Sequence, residues 1–381
     1  MMKKRLLALV LSGAMTLSLL TGCGFSNSTI NSNNSGGDSS ATGNTPTGAA
    51  STSVLPDNCE IVIKFGHNDG EVGLLETPYY AYSRVFKNMV ETLSGGRMGV
   101  QVFPANQLGD LPSMLEQTVK GTLQVTAGQN TGLLASYFPK IQILDIPYAF
   151  PDLDTAITML NGEFGEALNE ELVEAAGVRI LSYLPTAMRN FASNTKEIKS
   201  PADLKGMKVR VMEIPLHQKM VESLGGIPSV VSFAELYSAL QTGVVDAQEQ
   251  APYTMVMNNL QEVTKYYTLS QHLLNSNACT INEEFFQSLS EEDQQIVLKA
   301  ARAAQRAMLG ITTANEPEVY DKMAAAGVQV YVPTEEELAS FREIARQSGV
   351  DYMTSIGVEE SYIQDFFDEI DATYAALTAV G

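Results

Sequence analysis

From about residue 60 onward, hydrophobic and polar positions alternate in two distinct rhythms. Short runs rich in β-branched and aromatic residues, Glu60–Gly66, Val100–Phe103, Leu123–Ala127 and Val178–Leu184, predict strands. Between them lie stretches of helical period with clear starts and stops. Thr77–Leu93 predicts a helix ending at Gly95-Gly96, and Asp110 caps a helix that stops at Gly121. Pro151-Asp152 opens another, ending at Asn161-Gly162, and the next ends at Gly177. Ser200-Pro201-Ala202-Asp203 is a compact helix start, and Ser232 with Glu235 forms a capping box. Strands and helices in strict alternation predict an α/β fold with largely parallel sheets.

The run from Ser290 to about Gly327 departs from this rhythm. Ser290 is a cap, Glu291, Glu292 and Asp293 favour the first turn, and Ile296, Ala300, Ala304, Met308 and Ile311 recur at helical spacing. Thirty-odd residues at about 1.5 Å each span more than roughly 45 Å, longer than one small domain. This predicts a helix that crosses two lobes, with a break near Pro317. The expected division is 58–186 with 276–315 as lobe one, and 187–275 with 316–381 as lobe two.

One stretch carries chemistry. Around Arg210, Met207, Val209 and Val211 alternate with Lys208, Arg210 and Met212, which reads as a short strand after Gly206 and before a helix over Glu213–Gly225. A guanidinium at the centre of such a strand must find an anion, because an unpaired buried charge is costly. Strand ends in α/β sheets face ligand clefts. Arg210 is therefore either half of a structural ion pair or a receptor for a ligand carboxylate, and its chemistry alone leaves both open.

The N-terminus bears on compartment. Lys3, Lys4 and Arg5 precede an apolar core from Leu6 to Leu20, and Leu20-Thr21-Gly22-Cys23 follows, the pattern of a lipoprotein signal over residues 1–22 with Cys23 acylated. The protein is expected to be extracytoplasmic and tethered to the cell membrane by that lipid. Residues 24–57 are mostly Ser, Thr, Asn and Gly and read as a leash of roughly 30–35 Å. The net charge of −20 becomes −23 once Lys3, Lys4 and Arg5 are removed, which argues against nucleic acid as a partner. Cys59 and Cys279 would remain, and two free buried thiols are expected in preference to a disulfide.

Four segments, "LKGMKVRV" (Leu204–Val211), "SFAELYSALQTGVVDAQE" (Ser232–Glu249), "NQLGD" (Asn106–Asp110) and "RNFASN" (Arg189–Asn194), occur in the order in which a known family carries them. The chain resembles the DctP-like substrate-binding subunits of tripartite ATP-independent periplasmic (TRAP) transporters from about Glu60 to its C-terminus. The resemblance implies a two-lobed, hinged, periplasmic-binding-protein-like fold and a receptor that delivers a small organic acid to membrane permease subunits. It makes Arg210 the clamp for the ligand carboxylate, with Arg189 as a second donor or as support. Gln250 stands where the family more often has asparagine, keeping the amide donor but adding a methylene. Phe233 matches a position where an aromatic ring packs on the ligand.

Ligand contacts are expected at the strand ends from Asn68 and Gln129, with His67 and Asp110 as further contacts and Tyr148 in the cleft lining. Glu213, straight after the arginine strand, either bonds ligand hydroxyls or orients Arg210. Hydroxyl-binding groups around a single strand arginine favour a sugar acid such as a uronate or aldonate. A C4-dicarboxylate or keto acid, or a role as co-receptor for a sensor kinase, is the alternative. Catalysis and cofactors are not expected. His67, His217 and His272 lack metal-ligand spacing, and there is no GxSxG, phosphate loop or dinucleotide fingerprint. Ser193–Lys196 fits S-x-x-K, but its companion motifs are missing.

Overall fold

The structure is a computed structural model that describes residues 53–71 and 77–379. The expected signal, the acylated Cys23 and most of the leash lie outside the described residues. In chain order the elements are β1 (Ile61–His67), α1 (Pro78–Leu93), β2 (Met98–Phe103), α2 (Leu111–Val119), β3 (Val125–Asn130), α3 (Leu153–Leu160), α4 (Glu163–Ala176) and β4 (Val178–Ser193). Then come α5 (Pro201–Leu204), β5 (Lys208–Val211), α6 (Pro215–Ser223), β6 (Ile227–Val230), α7 (Leu236–Gln241), β7 (Ala247–Gln250) and α8 (Pro252–Met257). The chain closes with β8 (Tyr266–Asn282), α9 (Glu283–Ser288), α10 (Glu291–Ala325), β9 (Gln329–Tyr331), α11 (Glu335–Ser355) and α12 (Glu360–Thr378).

The strands run in the order β2-β1-β3-β8-β4-β7-β5-β6, with β9 beside β8. Two parallel triplets, β2-β1-β3 and β7-β5-β6, flank a central antiparallel pair, β4 and β8. The central strands have 16 and 17 residues, about 50 Å or more at 3.2–3.4 Å per residue, so both run from one half of the fold to the other. Their register shifts between Pro185 and Met188, midway along. Each triplet places its middle strand first in sequence, so its loops diverge at the carboxyl ends and leave a crevice there. The two crevices face one another across β4 and β8. This is the two-lobed periplasmic-binding fold expected from the sequence.

Helix starts follow the capping rules. The Asp110 side chain accepts the Ser113 N–H at 3.0 Å to start α2, and Ser290 accepts the Asp293 N–H at 3.2 Å to start α10. Gly177, at φ 62°, ends α4 in the left-handed conformation that glycine adopts without strain. The long helix α10 is 35 residues, about 52 Å at 1.5 Å per residue, and Pro317 lies inside it without ending it. Its first half buries Ala300, Ala301, Ala304 and Met308 against α1 and the β1–β3 sheet, and its second half buries Val319 and Met323 beside Tyr267 and Leu260. It is the spine joining the two halves.

One boundary differs from expectation. The helix α12, assigned from sequence to the second lobe, packs on α3 in the first half. Phe366 and Ile370 are buried there among Phe150, Leu160 and Leu168. Its apolar stripe finds the gap that α3 and α4 leave uncovered, and α11 provides the crossing. Both described cysteines are free thiols. Cys279 is buried, with burial pushing its pKa up to about 12, whereas Cys59 is only half-buried.

Phe366 touches Phe150 edge-on at 5.7 Å between ring centroids and Phe164 at 5.5 Å. Phe366→Ala is expected to lower the unfolding free energy by about 3–5 kcal/mol in a denaturant titration. A loss under about 1 kcal/mol would show that α12 is not part of the cooperative core.

Candidate functional site

The carboxyl ends of the two parallel triplets enclose a cavity of about 280 Å³. The carboxyl ends of β1, β2 and β3 and the loops after them contribute Asn68, Asp69, Asn106, Asp110, Gly128 and Asn130. Opposite them, the carboxyl ends of β5, β6 and β7 and the loops after them contribute Arg210, Glu213, Val231, Phe233 and Gln250. The crossing strands supply Thr186, Arg189, Asn275 and Asn277. Of the ten ligand contacts expected from sequence, seven line this cavity: Arg210, Arg189, Gln250, Phe233, Asn68, Glu213 and Asp110.

The two arginines, each about 2 % exposed, are in different electrical states. Arg189 has its charge met by a carboxylate. Its Nε pairs with Glu249 Oε2, its Nη2 donates to Glu249 Oε1 at 2.9 Å and to the Glu249 carbonyl at 2.8 Å, and its Nη1 donates to Asn275 Oδ1 at 2.7 Å. Arg210 has no such partner. Its Nε donates to the Val231 carbonyl at 2.9 Å, its Nη1 is buried and unpartnered, and among the described residues no carboxylate forms an ion pair with it. Burial lowers its pKa to about 10, with Glu249 opposing and Arg189 adding to that shift, so it remains a cation at neutral pH. The backbone bond at Nε fixes the plane of the guanidinium and leaves the terminal nitrogens as a fork for one carboxylate. The Phe233 ring, 6.0 Å from the guanidinium carbon, covers it on one side.

Beneath the arginines lies a buried ionic network. Despite burial in an apolar setting, Glu249 is held well below the usual carboxylate range by the Arg189 charge and by contacts with His217 and His272. His217 Nε2 donates to Asp145 Oδ1 at 3.1 Å, and its Nδ1 faces Glu249 Oε1 at 3.7 Å. Burial lowers its pKa, but the two carboxylates outweigh that and raise it above the ordinary value. His272 stacks on Phe191 at 4.1 Å and bonds Ser270, in keeping with a structural role. The network fixes Arg189 and neutralises it, so among the described residues the uncompensated positive charge on the wall is that of Arg210.

The Gln250 Oε1 accepts the Ala251 N–H at 3.1 Å, which leaves the amide NH2 of this cavity-lining side chain as a donor. Asn68 is held by Gly128, whose φ of 94° and missing side chain are both needed. A Cβ there would lie 2.7 Å from Asn68 Oδ1 and 3.0 Å from the Tyr79 ring.

Three expected contacts lie elsewhere. His67 is fully buried on the opposite side of β1 from Asn68, with Nε2 3.3 Å from Ser83 Oγ under α1, and burial lowers its pKa to about 3. Gln129 also faces away. The extra residue Gly128 shifts the register of β3, so Gly128 and Asn130 line the cavity while Gln129 Nε2 donates to Thr280 Oγ1 at 2.6 Å. Tyr148 sits in a turn with φ 55° at the edge of the apolar cluster around Val209 and Phe341, its ring 5.7 Å from the Arg342 guanidinium carbon. His67 and Gln129 stand near the carboxyl ends of β1 and β3 with their side chains turned away from the cavity, whereas Tyr148 lies in the segment between β3 and α3.

The sequence reading also passed over Asp69, Asn106, Asn130, Glu249, Asn275 and Asn277. The last two stand two residues apart in the strand run His272–Ile281, and two amides on one face of a buried strand are a legible sign of a polar wall. Glu249 gave no signal beyond its place in the motif, since its partner Arg189 is 60 residues away.

Glu249→Gln keeps the shape and removes the charge, leaving Arg189 buried and unpaired. Its expected cost is about 3–5 kcal/mol in unfolding free energy. A loss below about 1 kcal/mol would mean that the ion pair is dispensable.

Comparison with known proteins agrees with this geometry. The family model described as "Bacterial extracellular solute-binding protein, family 7" (DctP) matches residues 70–353. A solute-binding protein of Roseobacter denitrificans is 32 % identical over 66 % of this chain and 75 % of its own length. The sialic acid-binding periplasmic protein of Vibrio cholerae is 28 % identical over 79 % of this chain and 91 % of its own. A TRAP periplasmic solute-binding protein from Roseobacter denitrificans, solved with bound β-D-glucuronate, superposes with a TM-score of 0.75 at 28 % identity, covering 82 % of this chain and 99 % of its own. With two crevices closing on one unpaired arginine and a family match over most of its length, this chain belongs to the DctP family of bacterial extracellular solute-binding proteins, the receptors of TRAP transporters.

Proposed function

We propose that this receptor captures a sugar acid, a uronate or an aldonate, by clamping its carboxylate on Arg210, and delivers it to the membrane permease subunits of a TRAP transporter. The observation that carries the reading is the buried Arg210 fork, held at Nε and without a counterion among the described residues. Gln250 adds an amide donor beside it, and Arg189 contributes mainly by supporting the polar floor, its own charge being met by Glu249. Amides from Asn68, Asn106, Asn130, Asn275 and Asn277 suit a ligand body that bears hydroxyls. The names of two relatives, binders of sialic acid and of glucuronate, support the same class.

The lobes would be residues 58–186 with 276–315 and residues 187–275 with 316–359, α12 going with the first. A ligand touching the loops of both favours the closed form, and β4 and β8 are the strands across which closure bends. Recognition and release need no bond making, so the protein acts as a receptor and not as a catalyst. Acylation at Cys23 would hold it at the outer face of the membrane within reach of its permease.

Arg210→Ala leaves the ligand charge unpaired in a closed cleft, at a cost of about 3–5 kcal/mol. Affinity for the best sugar acid in a thermal-shift and calorimetric panel should fall roughly a hundredfold to several thousandfold. Arg210→Lys should recover little, because an ammonium lacks the planar fork. Near-normal affinity in Arg210→Ala would sink the clamp.

A further inference from the structure

The side of the cavity formed by the first triplet is rich in acceptors. Asp69 follows β1, and its Oδ2 accepts the Tyr79 N–H at 2.9 Å. Its loop is pinned to the loop after β2, where the Ala105 N–H donates to the Asp69 carbonyl at 2.9 Å and the Asn106 N–H to the His67 carbonyl at 3.2 Å. Asn68, Asp69 and Asn106 therefore stand side by side on the cavity wall. The Oδ1 atoms of both asparagines are buried and unpartnered. Among the described lining residues the only cations are Arg189 and Arg210, on the crossing strand and the second triplet, and Arg189 is already neutralised by Glu249. Burial raises the pKa of Asp69 to about 6, so at neutral pH it is an anion facing the ligand space.

We propose that Asp69, with Asn68 and Asn106 beside it, selects ligands carrying one carboxylate and several hydroxyls over ligands carrying two carboxylates. The inference rests on the Arg210 reading above. With one carboxylate held by Arg210, the rest of the ligand lies toward this acceptor wall. A hydroxyl donates to Asp69 or to an asparagine oxygen and satisfies it. A second carboxylate brings no proton to donate and sets a like charge against Asp69 in a site that excludes much of the water, where repulsion is screened least. The same wall would reject a C4-dicarboxylate and the diacid of a sugar that binds well as its monoacid.

The test is calorimetric titration of the protein with matched pairs: D-glucuronate against D-glucarate, D-galacturonate against galactarate, and D-erythronate against tartrate. In the wild type the best monoacid should bind at least about tenfold more tightly than its diacid. Asp69→Asn keeps an oxygen for the Tyr79 N–H, so its thermal midpoint should match that of the wild type, and the preference should fall by about tenfold or vanish. An unchanged preference in the folded variant would overturn the role of Asp69. Diacids binding the wild type as tightly as monoacids, and losing that binding in Arg210→Ala, would overturn the selection while leaving the clamp intact. No binding of either class would remove both.

Discussion

A buried guanidinium without a counterion among the described residues is the constraint around which this fold is arranged. A cation held in a nearly dry wall is unfavourable unless something neutralises it, and proteins usually supply the partner themselves. Here they do so for Arg189 through Glu249 and leave Arg210 open, with its Nε bonded to the Val231 carbonyl. On the proposed reading the ligand would complete the electrostatics, and an acid would be selected over a neutral analogue before any finer contact is made. The neighbouring ion pair adds polarity without adding net charge, which keeps the appetite of the site near one anionic group.

The architecture makes that state possible. Two parallel triplets send their loops to one cavity because parallel strands end on the same side, and two long antiparallel strands hold the triplets face to face. A cation from the second triplet and acceptors from the first thus meet across a space that neither half encloses alone. The spine α10 packs against both halves, α11 crosses between them, and α12 packs on α3 in the first. Core packing supplies rigidity within each half, and the polar cavity supplies the reason for the halves to close.

Much of this was legible in the chain. The helix caps at Asp110 and Ser290, the stop at Gly177 and the length of α10 all follow from local rules, because they depend on residues within a turn of one another. Arg210 was legible because a charge in an apolar strand has few explanations. Where two explanations remained, family resemblance and not chemistry separated them. Side-chain direction at strand ends was not legible: a single residue of register, such as the bulge at Gly128, exchanges Gln129 for Asn130. The Arg189–Glu249 pair was equally hidden, since its partners meet only when β4 and β7 pair. The position of α12 was missed because sequence order suggests adjacency, whereas its apolar stripe fits α3.

The central claim is that the site recognises a carboxylate because Arg210 lacks a counterion. It is tested most directly by titrating the wild-type protein with uronates and aldonates, each paired with a neutral counterpart, such as glucuronate with glucose and galacturonate with galactose. The account predicts at least one acid that binds, and a neutral counterpart weaker by about a hundredfold or more, the equivalent of roughly 3 kcal/mol. A neutral sugar that binds as tightly as its acid would contradict it.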